Sequence, residues 1–256
     1  MSMTLENKNC LDYLSTIEDE SVDLVLTDPP YFIGFDGGKG WDSQWKTEEE
    51  YLAWCKLWTD ECVRVLKPNR MLVVWGTLKT DTFLRYKLDI LNSYESMNGQ
   101  NEIIWGYNWG GRAKTNFARK HEYAWCYSKG KDFLFNDHDI RVERKVKKNL
   151  RTGKEHTQGT IPTCIWEKNN HTTSKDFVGW HPTTKNVDIL ERIIRAYSNE
   201  GDSVLDIFSG SGSTAVASLR CGRKVLGCEL DEEYYEKSLT RIEESIGITR
   251  FMNDNN

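Results

Sequence analysis

A glycine-rich turn set between two apolar runs is the feature that most constrains the fold of this chain. The run 204–208 (VLDIF) predicts a buried strand, Gly210 and Gly212 follow it within SGSGSTA, and a helical segment then ends at residues 221–222. The next apolar run, 224–228, leads into Glu229. This order is typical of a doubly wound α/β sheet that binds a nucleotide, with the acid on the ribose. Taken alone, the pattern fits a nicotinamide-dependent oxidoreductase equally well.

A second feature is the sequence Asp28-Pro29-Pro30-Tyr31, which follows another apolar run at 22–27. Each proline fixes its φ near about −65° and removes a backbone N–H, and it biases the preceding residue toward extended backbone. The predicted result is a stiff rim of carbonyl groups beside one carboxylate and one aromatic ring. Such a rim suits an exocyclic amine on a flat ring. A nicotinamide-dependent enzyme would have no evident use for this rim. A plain proline-rich exit from a strand is the competing interpretation.

Strand and helix signals alternate along most of the chain. Apolar runs at 71–75, 103–105 and 122–127 predict further strands, the last two as a pair, and residues 186–197 predict a helix. A capping box at Thr47 and Glu50 opens another helix, whose core-facing side is predicted to carry Tyr51, Cys55, Trp58, Cys62 and Val65. The alternation predicts a parallel sheet with helices on both faces.

In this order the motifs resemble those of the amino-group DNA methyltransferases of the beta permutation class, which use S-adenosylmethionine. That class carries Asp-Pro-Pro-Tyr first, a target-recognition region next and a Phe-x-Gly-x-Gly cofactor motif last. Here the motifs are residues 28–31, a long middle segment, His181-Pro182-Thr183-Thr184-Lys185, and residues 208–212. Further matches are Trp41-Asp42, RVLKPN at 64–69, His121-Glu122 and GCEL at 227–230. The resemblance covers nearly the whole chain and is weakest from 132 to 175.

The resemblance implies an α/β fold of the Rossmann-like S-adenosylmethionine-dependent methyltransferase type, circularly permuted and carrying an inserted target-recognition region. Residues 1–105 would form the catalytic half of the methyltransferase domain. Residues 106–175 would form the insertion, and residues 176–256 the cofactor-binding half of the same domain.

The implied reaction is site-specific transfer of a methyl group from S-adenosylmethionine to N6 of a flipped adenine in DNA. Asp28 and the Pro29 carbonyl would accept the two amine hydrogen bonds, Pro30 would complete the rim, and Tyr31 would stack on the base. The family's adenine enzymes usually carry Asp before the prolines, whereas its cytosine-N4 enzymes often carry Ser, so Asp28 favours adenine. The alternatives are cytosine-N4 methylation, an RNA substrate, and a catalytically silent DNA- or cofactor-binding module on the same fold.

The resemblance also assigns residues to the cofactor. Asp206 would meet the ammonium group, Glu229 the ribose, and Asn9 stands where the family usually carries an Asp that holds the adenine. Asn186 stands where the family usually carries Pro, and an Asn there can cap the following helix. The full predicted cofactor set is Asn9, His181, Thr183, Lys185, Asp206, Phe208, Ser209, Gly210, Gly212 and Glu229.

The charge distribution points to a phosphate-binding segment in the middle of the chain. The chain carries a net charge of −5, but residues 112–154 hold 13 basic and five acidic side chains, a local charge of +8 that leaves −13 elsewhere. A basic insertion on an acidic domain suits DNA binding beside a cationic cofactor, although a solvated loop that balances acidic surface would look similar. The predicted DNA-binding residues are Arg112, Lys114, Arg119, Lys120, Arg144, Lys145, Lys147, Lys148 and Arg151.

Composition also bounds the setting. No apolar run approaches membrane-spanning length and the N-terminus lacks signal-peptide features, so we expect a cytoplasmic protein. Seven cysteines without a C-x-x-C pair favour buried thiols in a reducing compartment over a disulfide or metal site. DNA is the predicted partner, and the resemblance is compatible with a homodimer and with a cognate restriction endonuclease. The sequence does not specify the recognition site, because base-edge contacts follow no simple residue code.

Overall fold

The computed structural model describes residues 2–108, 114–144, 146, 148, 151–153, 155, 158–167 and 176–253. Among these, eight strands form one sheet: β1 Met3–Asn7, β2 Val22–Thr27, β3 Leu66–Gly76, β4 Met97–Gly106, β5 His121–Lys129, β6 Ile165–Glu167, β7 Ser203–Asp206 and β8 Lys224–Glu229. The described α-helices are α1 Cys10–Leu14, α2 Glu48–Val65, α3 Asp81–Arg85, α4 Val187–Tyr197, α5 Ser213–Arg220 and α6 Glu232–Asn253.

The sheet order is β1-β8-β7-β2-β3-β5-β4-β6. The first five strands in this order, β1, β8, β7, β2 and β3, are mutually parallel. Strand β5 runs antiparallel to both β3 and β4. The carboxyl ends of the parallel strands therefore meet at one edge of the sheet. The first residues of β5 reach the same edge because that strand runs the opposite way.

Successive residues of the central strands enter two different cores. Along β3, Met71, Val73 and Trp75 pack on one face of the sheet, while Leu72 and Val74 pack on the other. Apolar residues of α4, α5 and α6 share the first core, and those of α1, α2 and α3 share the second. The predicted parallel sheet with helices on both faces is confirmed over β1, β8, β7, β2 and β3, whereas the antiparallel strand β5, which was not predicted as such, makes the whole sheet mixed.

Several local predictions are also confirmed. The five residues predicted on the inner face of α2 are all fully buried, and Thr47 Oγ1 accepts from Glu50 N at 3.2 Å. Asn186 caps α4 by accepting from Ile189 N at 3.3 Å. The two middle strands pair as predicted, with Ile103 opposite Ala124. Their antiparallel direction was not predicted. Six of the seven cysteines are buried, as predicted, and Cys164 is exposed.

Several strand boundaries differ from the prediction. The run 103–105 is only the last part of β4, which begins at Met97. The strand predicted over 204–208 ends at Asp206, because Phe208 N turns back to donate to the Asp206 carboxylate at 3.1 Å. The run 71–75 is the inner part of a longer strand that begins at Leu66, directly after α2.

The N- and C-terminal parts of the chain share one sheet. β1 pairs with β8, and β2 lies beside β7 with Leu24 opposite Val204. Strand β5, which falls inside the predicted insertion 106–175, lies in the same sheet between β3 and β4. The insertion is therefore not separate from the sheet over that strand, while the division into three parts stays a prediction. Of the described helices, none combines the length and apolar character that a membrane crossing requires.

Candidate active site

A cavity of about 140 Å³ opens where the carboxyl ends of β1, β8, β7 and β2 meet. Such an edge is the usual ligand position in open α/β sheets. All four predicted catalytic residues line the cavity, as do nine of the ten predicted cofactor residues: Asn9, His181, Thr183, Lys185, Asp206, Phe208, Ser209, Gly210 and Glu229. Gly212 is the predicted residue that does not line it.

Asp28 stands at the end of β2 with both carboxylate oxygens engaged. Its Oδ1 accepts from the Tyr31 hydroxyl at 2.5 Å, and its Oδ2 accepts from Lys185 Nζ. The Tyr31 side chain is buried, and its ring packs edge-on against Phe83 at 5.1 Å between centroids. The stacking role predicted for Tyr31 stays a prediction, since in this structure the ring packs against protein.

The proline rim is held from behind by Tyr51. The Tyr51 hydroxyl donates to the Pro30 carbonyl at 2.7 Å from a fully buried position on α2. Its ring stacks on Phe32 at 5.3 Å with an interplanar angle of 14°. Tyr51 therefore fixes the position of the rim, while the role of the Pro29 carbonyl as an acceptor for the amine stays a prediction.

The loop after the rim folds around Asp42, which is 1% exposed. One carboxylate oxygen accepts from Phe32 N at 2.7 Å, and the other accepts from Ile33 N at 2.9 Å and Phe35 N at 3.0 Å. Phe32 adopts a left-handed φ of 54°, which is costly for an aromatic residue. Three charge-assisted hydrogen bonds offset that cost and fix the path of the chain beside the cavity.

The two glycines of the glycine-rich turn have different reasons for lacking a side chain. Gly210 has φ +50°, and a Cβ there would lie 2.8 Å from His181 Nε2. Gly212 has φ +75° at the start of α5, and a Cβ there would press on Ser238 and Ile242 of α6 at 3.2 Å. Gly210 therefore borders the cavity directly, whereas Gly212 allows helix packing behind it.

Two carboxylates supply negative charge where β7 and β8 end at the cavity. Asp206 accepts from Thr27 Oγ1 at 2.9 Å, and burial raises the pKa of its carboxyl to about 6. Glu229 accepts from Gly210 N at 2.7 Å and from Asp231 N at 2.9 Å, and burial raises its pKa. Buried acids of this kind suit a ligand that brings positive charge and hydroxyl donors.

His181 closes the opposite wall in its neutral form. Burial lowers the pKa of His181 to about 3, and the charge of Lys185 acts in the same direction. Its Nδ1 accepts from Thr183 N at 3.3 Å, which places the ring proton on Nε2, the nitrogen that faces Gly210. Asn9 lines the same cavity, but its side-chain oxygen caps α1 by accepting from Leu11 N at 2.9 Å.

Comparison with known proteins identifies the class to which this arrangement belongs. Residues 22–240 match the N6/N4 methyltransferase family model, described as DNA methylase. The chain belongs to the DNA methylase family.

Individual relatives agree with this assignment. The chain is 32% identical over 245 residues to the type II methyltransferase M.HpaI of Haemophilus parainfluenzae, covering 95% of this chain and 75% of the relative. It is 32% identical over 253 residues to the DNA adenine methyltransferase YhdJ of Escherichia coli strain K12, covering 94% and 82%. The solved PvuII cytosine-N4-specific DNA methyltransferase superposes with a TM-score of 0.74 at 19% identity, covering 99% and 93%. The predicted family, its S-adenosylmethionine-dependent methyltransferase class and the Rossmann-like fold are confirmed.

Part of the basic surface predicted to bind DNA is described in this methyltransferase. Lys114, Arg119, Lys148 and Arg151 are exposed, and Lys120 and Arg144 are half-buried. Arg119 donates to the carbonyl of Leu78, which ties the β4–β5 connection to the segment after β3, and Lys120 donates to the carbonyl of Asn108 within the connection itself. Arg112, Lys145 and Lys147 lie outside the described residues, and the DNA-binding role of the whole set stays a prediction.

Three residues of the site carried no predicted role. Tyr51 matched only a core-facing stripe, while Asp42 and Glu122 belonged to matched motifs without an assigned contact. Glu122 Oε2 lies 3.2 Å from Lys185 Nζ, an ion pair that lacks hydrogen-bond geometry. The role of Glu122 could not be predicted without knowing that β5 is antiparallel, because that direction brings Glu122 to the edge where Asp28 lies.

Proposed function

We propose that this methyltransferase transfers a methyl group from S-adenosylmethionine to N6 of an adenine flipped out of DNA. The observation that carries the proposal is the junction at Asp28. There a carboxylate on a proline rim borders the same cavity as the glycine turn and Glu229. The relative YhdJ, named as a DNA adenine methyltransferase, supports adenine over cytosine.

The chain's own groups fit the proposed cofactor. Asp206 and Glu229 give the cavity negative charge that suits a sulfonium and an ammonium group. Glu229 would also accept from ribose hydroxyls. Phe208 offers an aromatic wall, which Trp54 supports at 5.5 Å and Trp58 at 5.6 Å between ring centroids. When bound, S-adenosylmethionine supplies an electrophilic methyl group.

The rim would prepare the amine for transfer. The lone pair of an exocyclic nitrogen is delocalised into the base, so it attacks poorly. Hydrogen bonds to Asp28 and to the Pro29 carbonyl favour a pyramidal nitrogen whose lone pair faces the methyl group. Because this geometry develops fully only in the transition state, the two acceptors lower the barrier rather than merely binding the base. As the nitrogen bonds to the methyl carbon, the carbon–sulfur bond breaks and its electron pair stays on sulfur as a neutral thioether; the nitrogen, now positively charged, then releases one proton to solvent.

The deciding experiment is to express the chain in cells lacking adenine and cytosine methylation and to sequence their native DNA. Methyladenine at one short motif is the expected result, and it would also define the recognition site. Methylation at cytosine N4 would keep the enzyme class and overturn the choice of base. Absence of any modification, with S-adenosylmethionine still bound by the purified protein, would favour RNA or a silent binding module.

Two variants test the residue roles behind this proposal. Asp28→Ala should bind S-adenosylmethionine with unchanged affinity in calorimetry and lose methyl transfer. Glu229→Ala should bind S-adenosylmethionine more weakly, and its fold should be unchanged by circular dichroism. Full transfer by Asp28→Ala, or unchanged cofactor affinity in Glu229→Ala, would remove the role of that residue.

The setting of the enzyme is also proposed. DNA would lie along the basic residues of the middle segment, a homodimer and a cognate restriction endonuclease would be its protein partners, and the cytoplasm would be its location. The type II names of several relatives support a restriction-modification setting. Light scattering of the purified protein tests the dimer, and digestion of genomic DNA from expressing cells with endonucleases of known specificity tests protection.

A further inference from the structure

Lys185 is the most completely buried cation of the active site. Its side chain is 7% exposed and lies between two carboxylates, contacting Asp28 Oδ2 and standing 3.2 Å from Glu122 Oε2. Its Nζ also lies 5.6 Å from the Tyr31 ring centroid and 5.5 Å from that of Trp75. Burial disfavours the charged lysine, but Asp28 and Glu122 outweigh this effect and raise the pKa of Lys185.

This arrangement places a competing donor on each oxygen of the acceptor that the reaction needs. In the structure Tyr31 occupies Oδ1 of Asp28, and Lys185 occupies Oδ2. A carboxylate oxygen can accept two donors, as Oδ2 of Asp42 does, but an amine that shares Oδ2 with the Lys185 ammonium meets an acceptor whose charge is already partly neutralised, so Asp28 becomes a stronger acceptor for the amine if Lys185 gives way. A buried ammonium that loses its carboxylate without a replacement is strongly destabilised, so Lys185 can leave only if another anion receives it.

Glu122 has the position and the free capacity to receive it. Burial raises the pKa of Glu122, while Lys185 lowers it. Its Oε2 is buried and makes no hydrogen bond among the described residues, although Lys185 stands within ion-pair distance. A small movement of Nζ would convert this ion pair into a hydrogen bond and leave Oδ2 of Asp28 open.

We propose that Lys185 and Glu122 form a counter-ion relay that releases Asp28 to the target amine. The inference rests on the proposed function and deepens it. Lys185 and Glu122 are positioning residues, because they act on the substrate through Asp28. In the resting state Lys185 holds Asp28, and when the amine arrives the ammonium moves onto Glu122.

The relay also sets the charge that surrounds the reaction. Asp28, Glu122 and Lys185 together carry −1 when all three are ionised. Methyl transfer moves positive charge onto the target nitrogen, which a net negative cluster stabilises. Substitution of Glu122 by a neutral residue would raise the cluster to zero and leave Lys185 on Asp28.

Other charged or titratable groups face this cluster and must be counted in any pH experiment. They are Tyr31 in the rim, Lys79 after β3, Tyr107 after β4, His181 before α4 and Asp206 at the end of β7. All are retained in the variants below, so a difference between variants reports on the substituted residue.

The test compares two variants whose pH–rate profiles should move in opposite directions. Lys185→Met leaves two carboxylates that repel each other, so one takes up a proton at higher pH and the acid limb of kcat should move up by about one pH unit or more. Glu122→Gln removes the neighbouring anion, so the acid limb should move down. In Glu122→Gln, kcat at neutral pH should also fall at least about tenfold, because Lys185 has no charged acceptor to move to.

Lys67→Met is the matched control. Lys67 pairs at 2.8 Å with the buried carboxylate of Asp23. Asp23 lies near the start of β2, away from the active site, whereas Asp28 follows the other end of the same strand. Its loss should lower thermal stability without moving the pH–rate profile. Cofactor affinity by calorimetry and thermal unfolding are measured for all three variants.

Each outcome decides the relay. Opposite shifts of the two acid limbs, with the control unmoved, are expected. Shifts in the same direction, or a Glu122→Gln variant with wild-type kcat, would overturn it, and the second result decides even if Lys185→Met fails to fold. If the wild-type enzyme methylates no DNA, the proposed function has failed. If it methylates adenine and Glu122→Gln does so equally well, only the relay has failed.

Discussion

The substitution Asp42→Asn tests how strongly the loop after the proline rim depends on a single carboxylate. Asp42 is almost completely buried. It accepts hydrogen bonds from three backbone N–H groups of this loop, one on Oδ1 and two on Oδ2. Asparagine keeps the shape but offers only one oxygen. In either orientation its amide group faces at least one of these N–H donors and cannot accept from it.

The magnitude follows from those contacts. A hydrogen bond to a charged group contributes about 1.5–3 kcal/mol, and the bonds that survive become neutral and roughly half as strong. Losing one such bond and about half of the other two should remove about 3–6 kcal/mol from the ordered loop. A free-energy change of about 1.4 kcal/mol changes the population of the ordered loop tenfold. Because the disordered loop no longer supports the rim, kcat/KM should fall by at least about tenfold.

Two assays check this expectation. Methyl transfer kinetics measure kcat/KM, and hydrogen exchange measures the protection of the amides of Phe32, Ile33 and Phe35. Asp36→Asn serves as the control, because Asp36 lies in the same loop but accepts from Gly38 N at 2.9 Å and Ser43 Oγ at 2.8 Å, away from the rim. Wild-type kcat/KM together with wild-type amide protection in Asp42→Asn would refute the reasoning.

Three further predictions concern other parts of the site. Tyr51→Phe keeps the stacked ring but removes the donor to the Pro30 carbonyl, so kcat should fall about five- to thirtyfold for a loss of about 1–2 kcal/mol; an unchanged kcat would contradict the role. Phe117 is 96% exposed within the basic β4–β5 connection. Phe117→Ala should weaken DNA binding about tenfold in fluorescence anisotropy through lost stacking, with cofactor affinity unchanged, whereas equal DNA affinity would show that the ring makes no contact. His181 stays neutral in the folded state down to about pH 3, while the unfolded chain protonates it below about pH 6.5. Its contribution therefore lowers stability as pH falls through that window, by about 1.4 kcal/mol per pH unit. Chemical denaturation of His181→Gln should show a correspondingly shallower pH dependence than the wild-type chain, and equal slopes would count against a buried neutral ring.

The features that sequence predicted well are local. The proline rim, the glycine turn and the acid after β8 each follow directly from a strand end, and strand ends of a parallel sheet meet at one edge. Asp28, Gly210 and Glu229 therefore come together as soon as the strand pattern is known. Their presence in one cavity is observed, and their catalytic and binding roles stay predictions.

The features that sequence missed depend on strand direction and on long-range packing. Lys185 was assigned to the cofactor, yet it contacts Asp28 across 157 positions of the chain. Glu122 reaches the same point only because β5 is antiparallel, and no period in the sequence specifies that direction. Gly212 was assigned to the cofactor for its place in the motif, but its close contact is with α6.

The pairing of β1 with β8 and of β2 with β7 means that the reaction depends on which strand ends are neighbours, and not on the order in which they are synthesised. The rim comes from the first thirty residues or so and the glycine turn from the last fifty, yet both border one cavity. A polypeptide cut in a surface connection and rejoined elsewhere would place the same groups around the same space. The order of motifs along such an enzyme therefore reflects its evolutionary history, whereas the chemistry requires only that the motifs be neighbours in the folded structure.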